Sequence, residues 1–464
     1  MTTSLRPDAC VGMSDTSIQT GPWAATPKMR SAAPVGPADD GTMRVDFTGR
    51  RGALFWLALK TGFFTILTLG FYRFWMKTRL RRWYWSAMRP GGHPMEYAGD
   101  PIEKLLGFFI AVVILTFYIG LVNLLLMFVS FSVFNSSVIG YLASFAGVIP
   151  LWFYARYRAR RYVLARTRWR GVRFGLEKGA WGYAWRALWY WFCTIVTLGI
   201  LWPRMTFLLE KYKTDRMFFG SARLYQGGRW PMLYRATLPF VFSLIALGAS
   251  IAWVFYIDPV FDGDAITATQ LIKELDDAMN GSWSSFDLLG PERLLLIPIT
   301  LSGLLFGAIY YRWVSKRIMA NHKLGPGVQF ASALSGVRVT FIYVLGNFIA
   351  YLTLVLGLVS LVLLALVVFV GGDMVLADDI WGRNYLADLP RWISVVVFAV
   401  LYLTFFLLWG VLYNTFVTFP LMRHMARTTT LPVTEGLGLI SQRDRDDFAE
   451  AEGFAEALDL GAAI

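Results

Sequence analysis

Thr65–Trp83 reads TILTLGFYRFWMKTRLRRW, and the chain carries a second version of it, TIVTLGILWPRMTFLLEKY, at Thr194–Tyr212. At an offset of 129 residues, Thr65, Ile66, Thr68, Leu69, Gly70, Met76 and Leu80 recur as Thr194, Ile195, Thr197, Leu198, Gly199, Met205 and Leu209. Each copy is an apolar run that ends in Thr-Leu-Gly and passes into an aromatic and basic segment. The rest of the chain is ordered around these two units.

The composition sets their context. Of 464 residues, 56% are apolar and 16% charged, and the mean hydropathy is +0.49. That is far from an average globular chain. Several apolar runs reach the ~20 residues needed to cross a bilayer core. The chain therefore reads as an all-α polytopic membrane protein. Its two cysteines, Cys10 and Cys193, build no disulfide framework or thiolate metal site.

Residues 1–43, rich in Ala, Pro, Ser, Thr and Gly, lack a signal-peptide run and read as a disordered tail. The membrane domain is expected over 44–428, built from internal repeats at about 47–154, 174–311 and 338–428. An acidic, mobile tail is expected over 429–464. The first apolar run, Ala53–Trp75, carries Lys60, whose counterpart in the second copy is apolar; it is expected to snorkel to the interface. Around 90–101, Pro-Gly-Gly-His-Pro and Tyr-Ala-Gly-Asp-Pro flank a short extended piece. Leu105–Phe131 and Ser137–Tyr154 read as a tight antiparallel pair, and Ala236–Tyr256 and Leu294–Tyr311 as another. Phe341–Gly357, FIYVLGNFIAYLTLVLG, reads as a third, divergent copy of the Thr-Leu-Gly unit without its basic tail. Ile393–Phe419 is the last span.

Charge sets the topology, because Lys and Arg prefer cytoplasmic loops. The acidic loop at 257–291 and the loop to the last span, with Asp373, Asp378, Asp379 and Asp388 against Arg383, go outside and the basic patches inside. The two Thr-Leu-Gly units have basic residues at both ends. If each spanned fully, residues 73–104 and 156–186, with seven and ten Lys and Arg, would lie outside. A re-entrant or interfacial segment removes the conflict, with Gly62, Gly70 and Gly199 as places to break. The expectation is about six full spans plus two or three re-entrant helices, with both termini cytoplasmic; the alternative is eight full spans.

The Thr-Leu-Gly, aromatic, Trp, Lys-x-Arg-x-Arg-Arg-x-Tyr pattern of residues 68–84 resembles the YjgN-like family of bacterial inner-membrane proteins, a domain of unknown function. So does Thr-Leu-Gly-x-x-x-Pro-Arg-Met at 197–205, followed by Phe218-Phe219-Gly220. The resemblance covers roughly residues 45–430. It implies an integral protein of the bacterial inner membrane and supplies no catalytic residues. The long acidic loop at 257–291 and the tails depart from the pattern.

Candidate chemistry is sparse. His93, His322 and His424 have no helical ligand spacing. No nucleophile–base pair or metal constellation appears, so no enzyme, cofactor or metal is expected. The basic and aromatic stretch 156–173 suits a phosphate backbone, but similar chemistry follows every helix pair. Anchoring at the headgroup belt and attraction to anionic lipid are the better reading, without nucleic acid. Arg158, Arg160, Arg161, Arg168 and Arg170 are the expected headgroup contacts. The six expected spans contain no carboxylate, against the usual pattern of proton-coupled transport. Repeats with broken apolar segments are nonetheless how many transporters build a midplane site. That makes a transporter or channel the first reading, with Thr65, Thr68, Thr194, Thr197 and Asn347 along the pathway. A non-enzymatic membrane scaffold or lipid-interacting protein with basic cytoplasmic collars is the alternative. Gly303-x-x-x-Gly307 permits close helix contact.

Overall fold

Each Thr-Leu-Gly unit folds into a helical hairpin in the computed structural model. In the first, α1 (Arg51–Leu67) and α2 (Arg73–Ala87) flank the turn; in the second, α6 (Ala180–Val196) and α7 (Trp202–Thr214) do. The turn is built identically twice. Gly70 N–H donates to Thr65 C=O at 2.7 Å and Leu69 N–H to Ile66 C=O at 2.9 Å. Gly199 to Thr194 and Leu198 to Ile195 repeat these at 2.8 and 3.0 Å. This paired i+5 and i+3 pattern closes a helix through a left-handed residue. That residue is a leucine both times, Leu69 at φ 50° and Leu198 at φ 49°, followed by Gly70 and Gly199 at φ 94° and 88°. Gly62, by contrast, lies inside α1 and breaks nothing.

The bases of the hairpins are tied by strands. Strand β1 (Thr42–Phe47) pairs antiparallel with β2 (Met88–Pro90), so α1 leaves and α2 returns at one sheet. Strand β5 (Val172–Leu176) pairs with β6 (Met217–Phe219) across the second hairpin. These sheets correct the all-α expectation. The structure describes residues 42–134, 137–258, 291–326, 328–370, 391–432, 437 and 440–442, all within one compact unit. They hold twelve short strands in three sheets, ordered β11-β12-β1-β2, β3-β4-β5-β6-β7 and β10-β9-β8. The remaining strands are β3 (Met95–Tyr97), β4 (Thr167–Trp169), β7 (Ala222–Arg223), β8 (Tyr225–Gln226), β9 (Lys323–Gly325), β10 (Val328–Gln329), β11 (Ala331–Ser332) and β12 (Thr429–Pro432). The expected disordered segment 1–43 lies outside the description up to residue 41, but Thr42 and Met43 belong to β1. The acidic-loop expectations, 259–290 and 371–390, also lie outside it. In the expected mobile tail, residues 429–432 form β12 and pair with β1.

Long helices leave the sheets in pairs. The first outgoing helix is α3 (Pro101–Phe117), capped by the Asp100 carboxylate on Ile102 N–H at 3.1 Å with Pro101 opening it. It continues through a π turn into α4 (Asn123–Phe134), and α5 (Ser137–Ala165) returns. The second pair is α8 (Tyr234–Ala252) and α9 (Leu296–Ala320). The third is α10 (Gly336–Val370) with α11 (Arg391–Tyr413), which runs through a π turn into α12 (Phe419–Arg427). Five stretches among the described residues are long and apolar enough to cross a membrane: Pro101–Val133, Trp230–Ile257, Glu292–Ala320, Gly336–Leu364 and Phe398–Arg427. The α8–α9 contact is made at Gly307, where a Cβ would stand 2.6 Å from Phe240 Cα, and more loosely at Gly303.

The expected third Thr-Leu-Gly copy is no hairpin. Its Leu356-Gly357 sits inside the continuous 35-residue α10. The reason lies downstream: the first two copies pass into an aromatic and basic segment, whereas this one runs on through Leu358-Val359-Ser360-Leu361 and stays helical. The modules nonetheless open alike, at Val45-Asp-Phe47, Val172-Arg-Phe174 and Val328-Gln-Phe330. Each returning membrane helix packs on the helix that opens the next module: α5 on α6, α9 on α10, and α11 back on α1. Small residues allow the approach, with Ala184 and Ala187 buried against Tyr157, and Ala58 against Val411.

Candidate headgroup site at the base of the helices

Glu210 stands in a segment otherwise rich in Lys and Arg, in the penultimate turn of α7. Lys213, one turn on, reaches its Oε2 at 2.7 Å. Lys323 on β9 meets Oε1 at 2.8 Å, and Arg160 near the end of α5 approaches the same oxygen at 3.6 Å. The helix hairpin, the first membrane pair and the third sheet therefore converge on one carboxylate. The side chains of Glu210, Lys213 and Lys323 are only 15–16% exposed. Burial pushes the Glu210 carboxyl up, but Lys213, Lys323 and Arg160 together overcome it and hold the group well below the usual carboxylate range. Lys213 moves the other way. Burial pulls its ammonium down, and repulsion from Arg160 and Arg156 adds to this against the attraction of Glu210.

The network thus carries more positive than negative charge. Around it, Arg156 on α5 and Arg312 and Lys316 on α9 are exposed, with the Lys316 ammonium 4.2 Å from the centre of the Trp313 ring. Arg156 and Arg160 are one helical turn apart on α5. Such an array is chemically an anion site with one internal counter-ion.

A second cation and aromatic network lies at the base of the first module. Arg166 and Glu103 pair at 2.8 Å. Tyr162 donates to Glu103 at 3.0 Å, and the buried Lys104 lies 5.2 Å from the Tyr97 ring. Lys104 of α3 lies near the Tyr97 ring of β3 and the Tyr162 ring of α5, so the network fastens the strand to the helices.

The five expected headgroup arginines are dispersed. Arg160 joins the Glu210 network. Arg158 donates to Tyr154 Oη at 3.0 Å, and Arg161 is buried, 8% exposed, which takes its side chain away from lipid. Arg168 lies on β4, and Arg170 is exposed on the turn that follows, over the Trp169 ring at 4.8 Å. The expected pathway residues do not converge either. Thr65 donates to Thr61 C=O at 2.8 Å and Thr194 to Tyr190 C=O at 2.7 Å; each also contacts the sulfur of Met76 or Met205 on the opposite arm at 3.8 Å. Thr68 and Thr197 donate to Phe64 and Cys193 C=O and accept from Tyr72 and Leu201 N–H. Asn347 donates to Tyr343 C=O at 2.7 Å within α10. The threonines serve as pins of two separate turns. Glu210, Lys213, Lys316 and Lys323 went unrecognised as a group, and the one local hint was the i, i+3 Glu210–Lys213 spacing.

No group of His, Cys, Asp and Glu able to hold a metal occurs among the described residues. Five helices among the described residues are long and apolar enough to cross a membrane, which suggests a membrane protein. The chain belongs to the family described as bacterial protein of unknown function (DUF898), which it matches over residues 42–364 and to which the YjgN proteins belong. No curated protein and no solved structure matches the chain.

Proposed function

We propose that the protein is a non-enzymatic, lipid-interacting protein of the bacterial inner membrane. It presents a cationic collar to anionic headgroups and lowers two re-entrant hairpins into the same leaflet. The surplus of cations around Glu210 carries the reading, since each basic residue near an anionic surface contributes about 1 kcal/mol. The hairpins support it. Leu69 and Leu198 hold a left-handed conformation that costs a non-glycine residue roughly 1–2 kcal/mol, yet they are 90% and 94% exposed. Among the described residues little covers either side chain, and burying it in hydrocarbon would help offset that cost. In this arrangement six helices span, both termini are cytoplasmic, and the sheets lie under the inner leaflet. The pairing of β12 with β1 supports placing residues 42 and 432 on one side.

The test is titration of the detergent-solubilised full chain with short-chain phosphatidylglycerol and, separately, phosphatidylcholine. Replacing Arg156, Arg312 and Lys316 together by Gln is expected to weaken phosphatidylglycerol binding about a hundredfold and leave phosphatidylcholine unchanged. Equal binding of both lipids by the native chain would sink the reading.

Transport is the second reading, favoured by a cavity of about 140 Å³ lined by Gly62 and Thr65 of α1 and Asn414 beside α11. Solute flux into proteoliposomes that disappears when Thr65 and Asn414 are both replaced by Leu would support it. Flux that survives would remove that path.

A further inference from the structure

The strands line a second hollow, larger and of different chemistry. Along β1, Met43 and Val45 face it while Arg44 and Asp46 alternate away; on β2, Met88 and Pro90 face it and Arg89 does not. The other sheets contribute Met95, Trp169, Phe174 and Phe219 among others, and α12 closes one side with Met422 and Met425. The space is about 300 Å³ and its side-chain lining is apolar except for Thr429. Ligand pockets begin at about this size, and apolar cavities that stay dry take up hydrocarbon.

Three features narrow the occupant. Five of the lining side chains are methionines, whose flexible thioethers adapt to a chain of variable shape. Trp169 is buried, 6% exposed, and adds a large aromatic ring to the lining. The chain itself supplies a roof, because Leu437 and Ile440 line the cavity. The roof is held by Ser221 N–H on Ser441 C=O at 2.9 Å and Arg173 N–H on the Gln442 side-chain oxygen at 3.0 Å. None of the described lining side chains is charged, so the charged or sugar-like end of a ligand stays outside and a hydrocarbon chain is what fits within.

We propose that this hollow is a binding site for one long acyl chain, with the polar end of the molecule left outside the apolar lining. The chain could come from a free fatty acid or from a bilayer phospholipid, and the two are separable. The experiment places the full chain in phosphatidylcholine nanodiscs, without anionic lipid, and adds either a diazirine-bearing palmitate or a diazirine-tailed phosphatidylcholine. After irradiation, labelled peptides are mapped. Labels on the segments holding Phe174 and Met422–Met425, competed by excess palmitate, are the expected result. The probe that gives them identifies the source.

Ala222→Phe fills the cavity and should lower this labelling at least tenfold, with the thermal midpoint recorded as a control for folding. Ile440→Gly opens the roof and guards against a cavity that is merely shut. Labelling absent from both the native chain and Ile440→Gly, or confined to the exposed faces of the membrane helices, overturns the proposal. Because no anionic lipid is present, either result is independent of the collar around Glu210.

Discussion

At the scale of single residues, the chain spends strain and buried charge in a few places, and each makes a measurable claim. Gly70 and Gly199 sit at φ 94° and 88° with open space where a Cβ would go, so backbone strain alone sets the cost of a side chain there. Gly70→Ala and Gly199→Ala are each expected to destabilise by about 1 kcal/mol in detergent. Gly52, also in open space but helical, should accept Ala with a gain of up to about 0.5–1 kcal/mol. Equal midpoints for all three variants would contradict the turn geometry. Leu69→Gly inverts the test: it should stabilise the hairpin in detergent and weaken its hold on a bilayer, read as faster exchange of the tip with solvent. Glu210→Gln leaves Lys213 and Lys323 without their counter-ion, and a loss of about 3 kcal/mol is expected. The sign with pH follows from a depressed carboxyl. Its stabilisation is complete above the unfolded value of about 4.3 and is lost as pH falls through the lower folded value. Acid should therefore narrow the gap between native chain and Glu210→Gln, whereas a constant gap from pH 7 to pH 3 would count against the assignment.

Elements differ in how openly the sequence announces them. The two hairpins were legible because Thr-Leu-Gly is a strong local stop and is followed each time by residues unsuited to the same apolar run. Phe341–Gly357 shows the limit of that reasoning: the turn triplet is approximated, but the apolar run continues and the helix with it. The sheets were hidden for the opposite reason. Strands of two to six residues carry little periodic signal, and Arg44, Arg89, Arg168 and Arg173 made them look like basic loops. Some of their pairings join distant segments, β1 with β12 and β3 with β4 among them, and two partners of Glu210 are likewise distant, on α5 and β9. The Gly303-x-x-x-Gly307 pattern was visible but undecided, and the structure distinguishes its two ends. Gly307→Ala would press on Phe240 backbone and should cost about 1–3 kcal/mol. Gly303→Ala meets only the Ser243 side chain, 3.1 Å from Oγ, and should cost less than 1 kcal/mol. Paired thermal midpoints of the two variants check the order.

For the molecule as a whole, the arrangement of the membrane segments follows from which ends share a sheet. Cysteines placed at Arg79 and Arg160 are expected to react with an impermeant thiol reagent only in inside-out vesicles. A cysteine at Leu198 should react in neither orientation and be quenched by lipid-borne nitroxide. Labelling at Arg79 from intact cells would favour the alternative of eight full spans. The pairing of β12 with β1 has a further consequence, in the order of synthesis. The first strand leaves the ribosome with β2 close behind it, but its other edge waits until almost the entire membrane domain has been inserted. Until then β1 presents an open edge of the kind that recruits foreign strands. A nascent chain arrested before Thr429 would expose that edge, and the last of the described strands to be made is the one that seals the first.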